Sequence, residues 1–385
     1  KGVTVMGTGD FTHPAWFAHC REHLQPAEAG LYTLRGSTTG VRFIATSEVA
    51  CIYSKGGKVR RLHIMLVAPS LEIVEQLNAR LSKIGNLAAD GRPILGLDAK
   101  KLAEIAWGVD ERILVIPAHA WTPWFSVFGS FSGFDSLQEC FEEHTNRIYA
   151  IETGLSSDPP MNWRVSALDN VLLVSDSDAH SLKNIAREAN LFEIPKSELS
   201  FGELARIIRE KDHARFKGTI EFYPEEGMYH VDGHRACGVS MLPQKTKRLG
   251  GTGPACGKPL TVGVLHRVEL LADRPEGFRP PGAFAFIKLV ELDKVIAEAL
   301  AVKSRESKAV AKEFGKLVSG GRTELGVMLD LSLADLSTLT SPEIVEGIRR
   351  VREGKLQIDP GFDGQYGTVH IFKPGELGKR QRKLI

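Results

Sequence analysis

Residues 171–180 read VLLVSDSDAH, an apolar run that leads directly into Asp176, Asp178 and His180. A short apolar run of this kind, followed by serine, is typical of a buried β-strand. The same pattern, an apolar run that ends in an acidic residue or a histidine, recurs along the first part of the chain. Its further members are residues 3–13 with Asp10 and His13, residues 43–48 with Glu48, residues 113–119 with His119, and residues 148–152 with Glu152, while His63 begins another run at residues 63–67.

Stretches with helical spacing, such as residues 71–85, separate several of these strands. Alternating buried strands and helices predict an α/β fold with a parallel sheet, either open or closed into a barrel. In a β/α barrel the polar residues at the carboxyl ends of the strands converge on one face. Because Asp, Glu and His are the ligands of divalent metal ions, we predict a multinuclear metal site there.

The composition is that of an ordinary soluble globular protein. The chain has 385 residues, 43% hydrophobic and 25% charged, and a formal net charge of +2. This length allows two or three domains, and no apolar run is long enough to span a membrane. So small a net charge does not by itself indicate a nucleic-acid partner, so any basic surface must be local. Five cysteines are too few and odd in number for a disulfide framework, which favours a reducing, cytoplasmic location.

The pattern changes twice along the chain, which predicts three domains. Residues 1–215 carry the alternation, with a hairpin expected at residues 54–57 and a helix capped by Ser200. Residues 216–272 are rich in Gly, Pro, His and Cys, and we expect short strands there, including residues 258–271. Residues 273–385 are expected to be mostly helical, followed by an edge strand and a basic tail at residues 375–385.

The strand-end residues and their order resemble the polymerase-and-histidinol-phosphatase (PHP) superfamily of metal phosphoesterases. The resemblance implies a distorted, TIM-like β/α barrel and seven metal ligands in this chain. They are Asp10, His13, Glu48, His63, His119, Asp178 and His180. The family's opening His-x-His pair has no counterpart after Lys1, and the chain has no initiator methionine, so we expect a truncated start with a first strand upstream.

A longer series of motifs resembles the endonuclease Q family of DNA-repair enzymes. The motifs are GTGDFTHPAW (7–16), PAHAWTPW (117–124), ETGLSSD (152–158), SDSDAHS (175–181), EGMYHVDGHRAC (226–237), CGKPLTVGV (256–264) and VREGK (351–355). This resemblance implies cleavage of the phosphodiester bond on the 5′ side of deaminated bases (uracil, hypoxanthine or xanthine) or abasic sites.

Metal-assisted phosphodiester hydrolysis agrees with the residues themselves. It requires a metal-generated hydroxide and stabilisation of charge on the phosphate oxygens. We expect Glu48, Asp10 and Asp178 to be catalytic, with Glu48 bridging two ions because a carboxylate has two oxygens. The histidines favour zinc or manganese over magnesium.

Four residues near the predicted ligands have two interpretations each. Glu152 either bonds to a neighbouring ligand or accepts a hydrogen bond from the N–H of a flipped, deaminated base. Trp121 and Trp124 follow His119 and form either the core of a lid or a stacking surface for that base. Asp176 either supports a ligand or caps its strand.

The Cys-rich segment resembles a zinc ribbon. His234, Cys237 and Cys256 are its predicted ligands, whereas Gly253 stands where a fourth cysteine is expected. A fourth ligand would have to come from His230, Asp232 or His266. The alternative is a ribbon without metal, held by its core alone.

Two groups of basic residues are candidate contacts to the DNA backbone. They are Lys245, Lys247 and Arg248 in the ribbon-like segment, and Arg349 and Arg350 on a predicted helix. Each group is also compatible with an ordinary solvated surface. We expect a monomer without a membrane partner, and a sliding clamp is a candidate partner although the tail carries no convincing clamp-binding motif.

The sequence therefore predicts a metal-dependent DNA-repair endonuclease with a ribbon-like insertion and a helical C-terminal domain. A phosphomonoesterase acting on a small metabolite is the alternative enzyme, but it would not need the domains after residue 215. A catalytically silent DNA-binding protein is the alternative from another class, and retention of all seven ligands argues against it.

Overall fold

The computed structural model describes residues 1–89 and 91–377 as a mixed α/β protein. The strands are β1 (Val5–Gly7), β2 (Leu24–Pro26), β3 (Tyr32–Leu34), β4 (Arg42–Lys55), β5 (Lys58–Ala68), β6 (Ile94–Leu95), β7 (Leu114–Pro117), β8 (Ala150–Glu152), β9 (Leu172–Val174), β10 (Ala189–Phe192), β11 (Phe216–Glu221), β12 (Asp232–His234), β13 (Val239–Met241), β14 (Ala285–Lys288), β15 (Gln357–Asp359) and β16 (Thr368–His370). The helices are α1 (Pro14–His23), α2 (Leu71–Leu81), α3 (Ala99–Trp107), α4 (Leu137–Phe141), α5 (Pro159–Asn162), α6 (Phe201–Glu210), α7 (Pro243–Arg248), α8 (Val264–Leu271), α9 (Leu292–Ala299), α10 (Lys308–Leu317), α11 (Glu324–Leu329), α12 (Leu333–Leu339) and α13 (Pro342–Arg352).

The largest sheet is built around the long hairpin of β4 and β5. Lys55 pairs with Lys58, and the two residues between them, Gly56 and Gly57, both have positive φ, at 61° and 74°. A tight two-residue hairpin turn requires this conformation, which glycine adopts without strain. The hairpin predicted at residues 54–57 is therefore confirmed. β1 and β6 run parallel to β4, whereas β7 runs antiparallel to β5.

The barrel expectation is not met in the described residues, which form no closed barrel. β8 and β9 make a separate two-stranded parallel sheet, and β10, β11 and β14 form another sheet. The main sheet is also mixed rather than parallel, because the β4–β5 hairpin reverses the chain direction within it. The α/β class is confirmed.

Helices cover the main sheet where the sequence places apolar residues at helical spacing. In α2 the buried residues are Leu71, Val74, Leu77 and Leu81, which lie on one face. Ser200 caps α6 by accepting a hydrogen bond from the Glu203 backbone N–H, as predicted.

The short strands expected at residues 258–271 are wrong in part, because α8 occupies Val264–Leu271. Val264 and Val268 are buried one helical turn apart, and Leu271 packs against the same core. This spacing fits a helix better than a strand.

The C-terminal part is mainly helical, as predicted, and its core also includes Ile220 and Tyr223 from the preceding segment. Leu292, Val295, Ile296 and Ala299, which helical spacing places on one face of α9, are all buried. β15 and β16 close this part as an antiparallel pair. From residue 378 onward, the predicted basic tail lies outside the described residues.

The predicted domain limits at residues 215 and 272 remain a prediction. β11, which begins at Phe216, pairs with β10 before it and with β14 after residue 272. One small sheet thus joins chain from all three predicted domains. In the described part of the chain, no helix is long and apolar enough to cross a membrane.

Candidate metal centre

Three predicted ligands meet on one face of the main sheet. Ala50 pairs with His63, so Glu48, two residues before Ala50, lies diagonally opposite His63 on the same face. Glu48 Oε1 is 2.8 Å from His63 Nδ1 and 3.8 Å from His119 Nε2. His63 Nδ1 and His119 Nε2 are 2.9 Å apart. One carboxylate and two imidazoles therefore point at a common position.

The contacts within this cluster set its charges. Burial opposes ionisation of Glu48, but His63, His119 and Arg92 outweigh it and hold the pKa of Glu48 at about 2. Burial, assisted by His119 and Arg92, lowers the pKa of His63 below its ordinary value. For His119, burial is outweighed by Glu152, Glu48 and Asp178, which raise its pKa. At neutral pH the cluster offers a carboxylate and at least one neutral imidazole, which are the protonation states that metal binding requires.

The other predicted ligands surround this cluster without joining it. Asp10 lies close enough to Glu48, His13 and His180 for their charges to act on it, and burial raises its pKa. The His180 side chain is 71% exposed, and its Nδ1 lies 2.9 Å from the Asp178 carbonyl oxygen. The structure thus brings Glu48, His63 and His119 together and places the remaining four around them.

Three of the predicted ligands have an unusual backbone conformation. Asp10, His119 and Asp178 have positive φ values of 44°, 31° and 41°. Residues other than glycine adopt this region at a cost of about 1–3 kcal/mol, and such residues cluster at functional sites. This shared strain is independent of the ligand motif and points to the same residues.

Arg92 belongs to the site and was missed by sequence reasoning. Its Nε lies 2.6 Å from Glu48 Oε1, and its Nη2 donates to Asp178 Oδ1 at 2.8 Å. Arg92 stands in a Gly-Arg-Pro segment that lies outside the apolar runs carrying the predicted ligands. The only available signal was a charged residue between Gly91 and Pro93, which are common in ordinary turns.

Glu152 holds the backbone of His119 through a buried hydrogen bond. The carboxylate is 4% exposed, and its Oε2 accepts a hydrogen bond from the His119 backbone N–H at 2.6 Å. The geometry therefore favours the interpretation that Glu152 bonds to a neighbouring ligand, and it argues against contact with a base. Burial, and then the charge of Glu152, raise the pKa of Asp176 to about 7, although Asn190 donates a hydrogen bond to it.

Trp121 and Trp124 differ in accessibility. Trp121 is 1% exposed, donates a hydrogen bond to Asn162 and packs on Phe128, so it is part of the core and not a stacking surface. Trp124 is half-buried and stacks on Phe131, with ring centroids 4.5 Å apart and a 4° angle between the planes. Phe131 is 55% exposed. The pair remains a candidate surface for a base.

Comparisons with known proteins place this arrangement among its relatives. No family model matches the chain. The uncharacterized protein YqxK of Bacillus subtilis is 30% identical over 380 residues, which are 96% of this chain and 89% of that protein. The uncharacterized protein MJ0043 of Methanocaldococcus jannaschii is 30% identical over 268 residues, and the match spans 67% of this chain but only 32% of that longer protein.

Two solved structures are similar over almost the whole chain. The lesion-specific endonuclease PfuEndoQ from Pyrococcus furiosus has a TM-score of 0.83 and 29% identity, with 98% of this chain and 91% of that one covered. This chain belongs to the endonuclease Q family. Endonuclease Q in complex with a 27-mer duplex that carries an abasic lesion at its active site has a TM-score of 0.82 and 29% identity, with 97% and 89% covered.

In this endonuclease Q family member, the donors at the Glu48 cluster fit a divalent metal ion. Glu48, His63 and His119 can present ligand atoms that all lie within 4.8 Å of one another. Glu48 Oε1, the carboxylate oxygen that faces both imidazoles, is buried and makes no hydrogen bond within the described residues. A carboxylate with imidazole nitrogens suits zinc or manganese.

The ribbon-like segment also brings its predicted ligands together. His234 Nδ1 lies 3.1 Å from Cys237 Sγ and 3.4 Å from Cys256 Sγ. Two of the candidates for a fourth ligand are occupied elsewhere, because Asp232 accepts a hydrogen bond from His266 Nδ1 at 2.6 Å. Within the described residues, the donors that meet at this site are His234, Cys237 and Cys256.

The two groups of basic residues differ in their exposure and in their ion pairs with carboxylates. Lys245, Lys247 and Arg248 are exposed on α7. Arg349 and Arg350 both bind Glu346, and they also bind further carboxylates. The charge of these two arginines is therefore largely compensated within the protein.

Proposed function

We propose that this chain is a metal-dependent DNA-repair endonuclease that hydrolyses the phosphodiester bond on the 5′ side of deaminated bases or abasic sites. Uracil, hypoxanthine and xanthine are the proposed base lesions. The observation that carries the proposal is the Glu48–His63–His119 cluster, with Asp178 beside it, on a fold similar to an endonuclease bound to abasic DNA.

The proposed metal ligands are Glu48, His63 and His119, with Asp10, His13, Asp178 and His180 as the surrounding group. Bound zinc, manganese or magnesium would supply an activated water and stabilise charge on the phosphate. Glu48 contributes a carboxylate that stays ionised, because its pKa lies at about 2. Glu152 fixes the backbone of His119 through its hydrogen bond. The resemblance of these positions to PHP phosphoesterases supports this assignment.

The proposed surface for the extruded base is the Trp124–Phe131 pair. Phe125, on the same loop, places its ring centroid 4.7 Å from that of His63, so the loop reaches the metal cluster. A base stacked on this loop would lie close to the reacting phosphate. Base–aromatic stacking contributes about 1–3 kcal/mol per base.

The proposed contacts to the DNA backbone are Lys245, Lys247 and Arg248, because their side chains are exposed. Arg349 and Arg350 rank second, since carboxylates already compensate their charge. We also propose one structural zinc ion at His234, Cys237 and Cys256, which would make this segment a zinc ribbon. We also propose that the protein is a cytoplasmic monomer and that a sliding clamp is a candidate partner.

A nicking assay on end-labelled duplexes tests the proposal. Duplexes with uracil, hypoxanthine or an abasic site are incubated with wild-type protein, with Glu48→Gln and with Glu276→Gln. Glu276 is an exposed glutamate and controls for the change of charge. Cleavage 5′ to the lesion by wild type and Glu276→Gln only would support the proposal. Phosphate release from a small ester without nicking would favour the phosphomonoesterase, and binding without any cleavage would favour the silent DNA-binding protein.

A further inference from the structure

Arg92 lies among the predicted metal ligands although it cannot itself bind a metal ion. Its guanidinium contacts Glu48 Oε1 at 2.6 Å and Asp178 Oδ1 at 2.8 Å. Asp10 is also close enough for its charge to act on Arg92. One guanidinium thus contacts two carboxylates, and a fixed positive charge lies beside the donors that a cation needs.

The backbone next to Arg92 is held against β4. Pro93 accepts a hydrogen bond from the Ala50 backbone N–H at 3.0 Å, and Ile94 pairs with Ala50. Ala50 is two residues beyond Glu48, so the strand that carries Glu48 also anchors the arginine. The Arg92 side chain is 26% exposed. It can therefore turn away from Glu48 while its backbone stays in place.

The contact between Arg92 and Glu48 is close but poorly aligned. Within the described residues, Glu48 Oε1 and Arg92 Nε are both buried without a hydrogen bond of acceptable geometry. Their attraction is therefore mainly Coulombic. A metal ion has no donor angle to satisfy at a carboxylate oxygen and carries twice the charge, so it can replace the guanidinium there.

We propose that Arg92 is a positioning residue that serves as an internal counter-ion of the metal centre. In the metal-free protein its guanidinium holds Glu48 and Asp178 together against their mutual repulsion, and a divalent ion must displace it in order to bind Glu48. That this ion is the cofactor of DNA cleavage rests on the proposed function.

Two effects of opposite sign follow from this role. Removal of the guanidinium leaves the carboxylates uncompensated, so the metal-free protein becomes less stable. The same change removes a competing positive charge, so the metal ion binds more tightly. A merely structural arginine would weaken both properties, because its loss would disorder the ligands.

The test compares full-length wild type with Arg92→Gln and Arg92→Lys. Arg61→Gln is the matched control, since Arg61 is an exposed arginine on the same strand as His63. Mn²⁺ alone is titrated into metal-free protein by calorimetry, and the urea midpoint of each metal-free protein is measured. We expect Arg92→Gln to bind Mn²⁺ at least about tenfold more tightly and to unfold at lower urea. Arg92→Lys should lie between wild type and Arg92→Gln, and Arg61→Gln should stay within about twofold of wild type because exposed charges are screened.

Equal or weaker Mn²⁺ binding by Arg92→Gln would overturn the proposal, and so would an equal gain in Arg61→Gln. Nicking of an abasic duplex by wild type, measured in parallel, separates this inference from the proposed function. If wild type does not nick but the affinity gain is found, the nuclease assignment fails and the counter-ion role stands. If wild type nicks and no gain is found, only the counter-ion role fails.

Discussion

Glu152 provides a sharp test of how the site is built, because a support of His119 and a reader of the damaged base respond differently to substitution. We consider Glu152→Gln and Glu152→Ala. The hydrogen bond between Glu152 Oε2 and the His119 backbone N–H is 2.6 Å long and fully buried. A hydrogen bond to a charged group contributes about 1.5–3 kcal/mol.

The two substitutions should differ in size. Glutamine keeps an oxygen that can accept from His119, so we expect Glu152→Gln to lower the free energy of unfolding by only about 1 kcal/mol. Alanine leaves the buried N–H of His119 unpaired and removes side-chain volume, so its cost should be about 3 kcal/mol. Both substitutions should also lower the pKa of His119, since Glu152 is one of the groups that raise it.

The metal and lesion readouts separate the two roles. Groups that orient a metal ligand typically change metal affinity about 10–100-fold when mutated, so Glu152→Ala should weaken Mn²⁺ binding to that extent. The ratio of nicking rates on uracil, hypoxanthine and abasic duplexes should change by less than about threefold, that is by under about 0.7 kcal/mol. A large change in this ratio for Glu152→Gln, with the urea midpoint and Mn²⁺ affinity unchanged, would refute the supporting role and restore the lesion-reading role.

Three further predictions test other parts of the molecule. Glu48→Gln or Asp178→Asn should abolish nicking while DNA binding survives in a gel-shift assay, because the first removes a carboxylate from the metal cluster and the second removes one beside it. Near-normal nicking by either variant would exclude that residue as a ligand. Gly253→Cys should tighten zinc binding in a chelator competition assay by at least about tenfold, or about 1.4 kcal/mol. The reason is that a Cβ at this position would lie 3.7 Å from Cys256 Sγ. An unchanged zinc affinity would mean that the added thiol does not reach the ion. Burial raises the pKa of Glu221 from 4.5 to about 8, so between these pH values the folded state binds a proton that the unfolded state does not. The free energy of unfolding should therefore fall as pH rises through that window. Glu221→Gln should flatten this part of the profile of urea midpoint against pH, and an unchanged slope would contradict the assignment.

Several secondary-structure elements could be predicted from the sequence because the relevant patterns are local. The spacing of Leu71, Val74 and Leu77 indicated a helix, and the helix is there. Two glycines between two runs of strand formers indicated a hairpin, and Gly56 and Gly57 adopt it. Where a pattern was ambiguous the prediction failed, as at residues 264–271, where a short apolar run turned out to be helical.

The fold of the sheet was less predictable than its elements. A run of buried strands gives no information on which strands pair or in which direction, so the expectation of a parallel barrel was open to error. The long hairpin imposed antiparallel pairing on β4 and β5. On the other side of β5, β7 also pairs antiparallel with it. Strand pairing is a contact between distant residues and is decided only when the chain folds.

For the candidate site too, some features could be predicted from the sequence and others only from the tertiary structure. The sequence alone indicated which residues are candidate metal ligands, because residue types, their places beside apolar runs and their resemblance to a family motif can be read along the chain. Only the tertiary structure decided that Glu48, His63 and His119 share one position while His180 stays exposed. It also brought in Arg92, which bonds to Asp178 across 86 residues of chain. Such a contact has no local pattern, because it depends on strand register and on burial, which arise only once distant segments pack together.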